Sequence, residues 1–259
     1  MSTPWAIAGL VVKELYRRKD FYVLFVLTAV LTMMLGGMNF FGDIRAARYL
    51  KELCLLLIWI SVMVIAIATA ARQIPAEKEH RTIFPLLAKP VTRWHVILGK
   101  FLGCWVATCI ALLVFYLFFG VMSAAREKDF VIANYAYALF LHGAFAAVVT
   151  SMTILGSVTI STPSANTTLC FIVTGSILFM GRHLGQIAQK LVEPASTLLQ
   201  LVYFSIPHLE FFDLRDMLVH NHAAISFLAF LGAMGYAALY SAFFLCAAWL
   251  VFRKKPLNT

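Results

Sequence analysis

Residues 77–100, EKEHRTIFPLLAKPVTRWHVILGK, gather two acids, five Lys or Arg, two His and two Pro between long apolar stretches. The spacing suits recognition better than catalysis. Glu77, Glu79 and Arg81 fall where a short helix would present acid and base together. Charge-assisted hydrogen bonds from such groups are worth about 1–3 kcal/mol each when partly buried. Ile83, Phe84 and Leu87 supply an apolar side to the same helix, and Glu77 and Glu79 suit its positive N-terminal end. Pro85 and Pro90 limit its length, and Thr92 fits the N-cap of the next helix. Read from its residues alone, the stretch is either an ordinary amphipathic connector or a rigid element suited to transmitting force.

A second group, His208, Glu210, Asp213, Asp216, His220 and His222, holds the other concentration of titratable side chains. Hydrolytic or metal chemistry would need such residues, but their spacing fits no standard metal set. A solvated, partly re-entrant segment is the simpler reading. There is no GxxxxGK[ST] phosphate loop, no HExxH and no GxSxG. His142 is an ionisable residue deep in an apolar run and reads as a hydrogen-bonded structural histidine. Few other charges fall inside the apolar runs, which argues against an ion-coupled carrier. The five cysteines form no CxxC and read as packing residues.

The elements that carry these residues are membrane helices. Hydrophobic residues make up 62% of the 259 and charged residues 13%, with a mean hydropathy of +0.86. Soluble domains average about 45–50% apolar and about 25% charged. Crossing about 30 Å of hydrocarbon takes about 20 helical residues. The expected fold is an all-α membrane protein, one domain over 1–259. Its six transmembrane helices fall at 21–39, 52–71, 98–122, 135–160, 166–182 and 223–252. Residues 1–20 form an interfacial helix, with Ile7, Val11 and Leu15 opposite Lys13, Arg17 and Arg18. Residues 72–97 join spans two and three, and 183–222 join spans five and six. Gly99-x-x-x-Gly103 at the start of span three permits close helix approach. The polar loop from Ser161 to Asn166 sits on the same side as 72–97.

Six spans put both termini on one side. Placing them in the cytoplasm assigns thirteen basic and four acidic residues to the inner segments, a balance of +9 and thus the entire net charge. The outer segments then balance at eight of each. This is the positive-inside pattern, and it accounts for the basic charge without nucleic acid. No cleavable signal peptide is evident.

The order Glu77, Glu79, Thr82, Leu86-Leu87, Pro90-Val91-Thr92-Arg93 and Gly99-Lys100 resembles the signature between spans two and three of type-2 ABC transporter permeases. It departs at Arg81, where the family favours glycine, and at Pro85 inside the leucines. The segment Pro207 to Asp213 also looks like one in the permease of the nitrous-oxide-reductase maturation system.

The resemblance implies a half-transporter with no catalysis and no cofactor in this chain, ATP and Mg belonging to a partner. That partner is a separate ATPase dimer. The chain would form a homodimer or pair with a similar permease in the bacterial cytoplasmic (inner) membrane, with lipid around it. The cytoplasmic coupling helix would use Glu77, Glu79, Arg81, Thr82, Phe84, Leu87 and Arg93, and the loop from Ser161 would make a smaller contact. The work done would be export or conformational change. A non-transporting assembly or signalling component of a maturation complex, and a membrane enzyme using the outer His/Asp/Glu segment, are the alternatives.

Overall fold

A computed structural model describes residues 3–16, 26, 29–30, 33, 44–79, 92–124, 131–220 and 225–254. Among them the chain is helical throughout, with no strand. The elements are α1 (Thr3–Tyr16), α2 (Ile44–Ala70), α3 (Gln73–Glu79), α4 (Arg93–Ala124), α5 (Ile132–Thr159), α6 (Pro163–Ala188), α7 (Ala195–Ser205), a 3-10 turn (Leu209–Phe212), α8 (Arg215–His220) and α9 (Phe227–Lys254). Five segments are long and apolar enough to cross a membrane: Lys51–Glu77, Arg93–Val121, Ile132–Thr159, Pro163–Gly181 and Phe227–Lys254. They overlap the last five expected spans, with ends that differ by one to six residues. The expected first span lies outside the described residues except at Val26, Ala29, Val30 and Met33, which are helical.

Helix α5 is the centre of the bundle and packs against α2, α4, α6 and α9. Leu141, Phe145 and Val149 are at most 1% exposed along it. Trp59 of α2 stacks on Phe145 with ring centroids 5.1 Å apart. Three of its buried hydroxyls are satisfied by their own helix: Ser151 Oγ donates to Val148 O at 2.8 Å, Thr153 Oγ1 to Val149 O at 2.8 Å and Ser157 Oγ to Ile154 O at 2.7 Å. Local back-bonding of this kind lets small polar residues sit in a membrane bundle without an unmet donor. Three residues, 160–162, then turn the chain into α6. Ile160 is extended, and Pro163 opens α6 at its first position, where a missing N–H costs nothing.

Helix α1 lies along α4. It buries Ile7, Ala8 and Val11, while Trp5 and Leu10 stay exposed. The seat is the Gly99/Gly103 pair. A Cβ added at Gly99 would stand 2.7 Å from Ile7 Cβ and 2.9 Å from the Pro4 carbonyl. One at Gly103 would stand 2.6 Å from Val11 Cβ and 3.0 Å from the Ala8 carbonyl. The glycines are therefore required by contact within this chain, where helix association depends on close packing.

The segment after α6 returns toward the bundle. Helix α7 packs on α6 with none of its own residues buried. Beyond it Leu209, Phe212 and Leu218 are at most 1% exposed and join the core formed by α2, α4 and α5. The 3-10 turn and α8 thus pack into the helical core.

Candidate coupling site

The helix that carries Glu77 and Glu79 begins before them. Helix α2 ends at Ala70, Ala71 and Arg72 turn, and α3 starts at Gln73. Pro75 sits in the first turn of α3, where no intrahelical donor is needed, rather than at the break itself. Helix α3 carries Glu77 and Glu79. Arg81, Thr82, Phe84 and Leu87, four of the seven expected coupling residues, lie outside the described residues.

What holds α3 is Lys100, the residue that closes the Gly99-Lys100 of the signature. It is 2% exposed, seven residues into α4. Its Nζ donates to Glu77 Oε1 at 2.6 Å, to Gln73 O at 3.1 Å and to Gln73 Oε1 at 3.2 Å. An ammonium has three donors, and all three are used. Gln73 passes the connection back to α2, its Nε2 donating to Thr69 O at 3.3 Å. Glu77 is therefore turned inward as a brace.

Arg93 also faces the protein. Its Nη1 donates to the Phe252 and Arg253 carbonyls at 2.5 and 3.0 Å, and its guanidinium lies 5.5 Å from the Phe252 ring centre. These are terminal carbonyls of α9, which lack helical partners and favour a cation. Trp94 meets Trp249 edge-on at 6.2 Å beside them. Thr92 caps α4, its Oγ1 accepting from the His95 N–H at 3.4 Å.

Asn166 completes the set. It is 0% exposed, and its Nδ2 donates to Ala71 O and Thr153 O, each at 3.3 Å. One side chain of α6 thus grips the last carbonyls of α2 and the body of α5. It fits because residue 156 is glycine: a Cβ there would stand 2.2 Å from Asn166 Oδ1. Ser161, Thr162 and Ser164 remain exposed at the adjoining corner. Glycine at 156, ten positions before Asn166, was the available sequence sign of this contact. The buried Lys100 had its sign in the Gly-Lys that closes the motif.

The two ends of 73–93 are consequently fixed to α2, α4, α5, α6 and α9. A family model described as ABC-2 family transporter protein matches residues 5–257. The chain belongs to the ABC-2 transporter family. It is a multi-pass membrane component of an ABC transporter, and the resemblance between spans two and three is that of a true member. No relative is found among curated proteins.

At the end of this ABC-2 chain remote from α3, His208 and Asp213 of the second titratable group are engaged in structure. Arg215 Nε and Nη2 donate to Asp213 Oδ1 and Oδ2 at 2.8 and 2.7 Å, and the guanidinium lies 5.0 Å from the Trp59 ring centre. Burial works to raise the Asp213 carboxyl, and the paired guanidinium overcomes it, leaving the group below its ordinary value. Tyr236 Oη accepts the His208 N–H at 2.8 Å. His142, the deep histidine, meets Tyr116 Oη through Nδ1 at 2.7 Å. His222 and the His220 side chain lie outside the described residues. Among the described residues no three His, Cys, Asp or Glu gather as a metal-holding group.

Proposed function

We propose that the chain is the half-transporter subunit of an ABC transporter, two copies or two similar permeases engaging a separate ATPase dimer at the cytoplasmic face. ATP-driven closure of the ATPases would press on 73–93 and shift the spans between two packings, doing export or other conformational work across the inner membrane. The observation that carries this reading is the buried Lys100 holding Gln73 and Glu77, which makes α3 continuous with α4. The rest of the network spreads a push at α3 over five helices. ATP and Mg belong to the partner in this scheme.

The residues divide by role. Glu77 and Arg93 transmit load inside the chain. Glu79, with Arg81, Thr82, Phe84 and Leu87, forms the surface offered to the ATPase. Purification from native membranes in mild detergent tests the assignment. A stoichiometric partner of single-ATPase-domain size should accompany the chain. Glu79→Lys should weaken that association by about 5- to 150-fold, the equivalent of 1–3 kcal/mol, with the spans still folded. A Glu79→Lys protein that assembles and works normally would refute the role of Glu79. A wild-type chain that purifies with no ATPase would refute the half-transporter itself.

A further inference from the structure

A cavity of about 360 Å³ opens between α5, α9 and the 3-10 turn. Ligand pockets span about 300–1,000 Å³. Leu141 of α5 lies beneath it, and Phe230 and Phe211 line it. Its face on α9 is made by Ala229, Gly232 and Ala233, which with Tyr236 fall at i, i+3, i+4 and i+7. The hollow exists because that face lacks side-chain volume: a Cβ added at Gly232 would meet nothing within 4 Å. Phe230 is held in place by Tyr137, with ring centroids 5.0 Å apart. The lining is apolar except for the Tyr236 hydroxyl, which is bonded to His208. A polar ligand would therefore leave its own groups unmet.

Depth selects the occupant. Leu141 and Tyr236 each lie nine residues from the ends of α5 and α9 remote from α3. At 1.5 Å per residue that is about 13 Å into a hydrocarbon layer about 30 Å thick. On the same helix Phe227, Leu228 and Leu231 are 64%, 80% and 48% exposed, an apolar surface suited to lipid. An empty hollow here would forfeit dispersion contacts, and an apolar one does not recruit water. We propose that this cavity holds one acyl chain of a membrane lipid, entering sideways from the leaflet opposite α3. This needs only that α5 and α9 cross the membrane, and it stands apart from any partnership with an ATPase.

The test uses the full chain without nucleotide, in nanodiscs of phosphatidylcholine containing a trace of the same lipid with a mid-chain diazirine. Photolysis and peptide mass spectrometry should find adducts on Tyr236, which lines the hollow and is part-exposed to it. Gly232→Leu fills the hollow and replaces glycine with a better helix former. It should cut the Tyr236 adducts by about tenfold or more by overpacking the cavity, with adducts at the outward-facing Leu239 and Phe243 unchanged. Phe230→Ala widens the mouth and should raise the Tyr236 adducts. Labelling of Leu239 without Tyr236 would overturn the proposal. So would Tyr236 labelling indifferent to both substitutions, or a Tyr236 shielded by a second copy of the chain. The assay reads the cavity alone, so its failure leaves the coupling assignment intact and is distinguishable from the loss of ATPase co-purification.

Discussion

Lys100→Met is the sharpest perturbation of the coupling end. It keeps the length and apolar stem of the side chain but removes the ammonium that serves Glu77 and both oxygens of Gln73. Taking one partner from a buried ion pair costs about 3–5 kcal/mol, because the other charge stays behind. The Lys100 side chain is 3% exposed and that of Glu77 26%. Water therefore recovers part of the loss on the Glu77 side, and about 2–3 kcal/mol is expected. The cost falls on the attachment of α3, since α4 is held along its length by α1, α2 and α5. Hydrogen exchange in nanodiscs reads it directly: amides of 73–79 should exchange about 30- to 140-fold faster than in the parent protein. The double variant Lys100→Met/Glu77→Met replaces the pair with apolar groups and should return exchange most of the way. Exchange at 73–79 unchanged by Lys100→Met would refute the reasoning. So would a double variant as labile as the single one, since the residual charge would then not be the cause.

Three further outcomes are expected. Gly103→Val should unseat α1 at a cost of about 1–3 kcal/mol, because even its Cβ would meet Val11 at 2.6 Å and the Ala8 carbonyl at 3.0 Å; the measurement is thiol labelling of a cysteine placed at Val11, which should change from protected to reactive. Asn166→Ala removes the donor that the Ala71 and Thr153 carbonyls share and should lower thermal stability by about 1–3 kcal/mol, with faster exchange at the α2–α3 turn. The Asp213 carboxyl is depressed in the folded chain, so its contribution is present above the ordinary carboxylate value of about 4 and is lost as pH falls through the lower folded value. Exchange in 209–220 should therefore accelerate on acidification below about pH 4, and Asp213→Asn should remove that dependence.

Most of the fold was legible because the membrane imposes a length and a polarity on each span. The last five spans were placed from apolar runs alone, and the buried face of α1 followed from Ile7 and Val11 at helical spacing. What spacing cannot supply is the partner across a helix pair. Gly99-x-x-x-Gly103 announced a close approach without naming α1. Lys100 read as a charge at a membrane edge, but the burial that makes it a clamp depends on where Gln73 and Glu77 fold back. Asn166 read as part of a polar loop, and nothing local to it points to Ala71, which lies 95 residues earlier. Glu77 and Glu79 looked alike in sequence because the start of α3 four residues before Glu77, set by the Ala71–Arg72 turn, was not visible in the acids themselves.

The ties at the base of α4 also impose an order on biogenesis. Lys100 finds Gln73 and Glu77 already made, 27 and 23 residues before it. Arg93 must wait for the carbonyl of Phe252, 159 residues later. At about 5–20 residues per second of synthesis, that interval is about 8–30 s. Closure of this end onto α9 is thus a late event in the life of the nascent chain. A polypeptide arrested before α9 would lack the Phe252 and Arg253 carbonyls that Arg93 meets and the Trp249 ring that Trp94 meets.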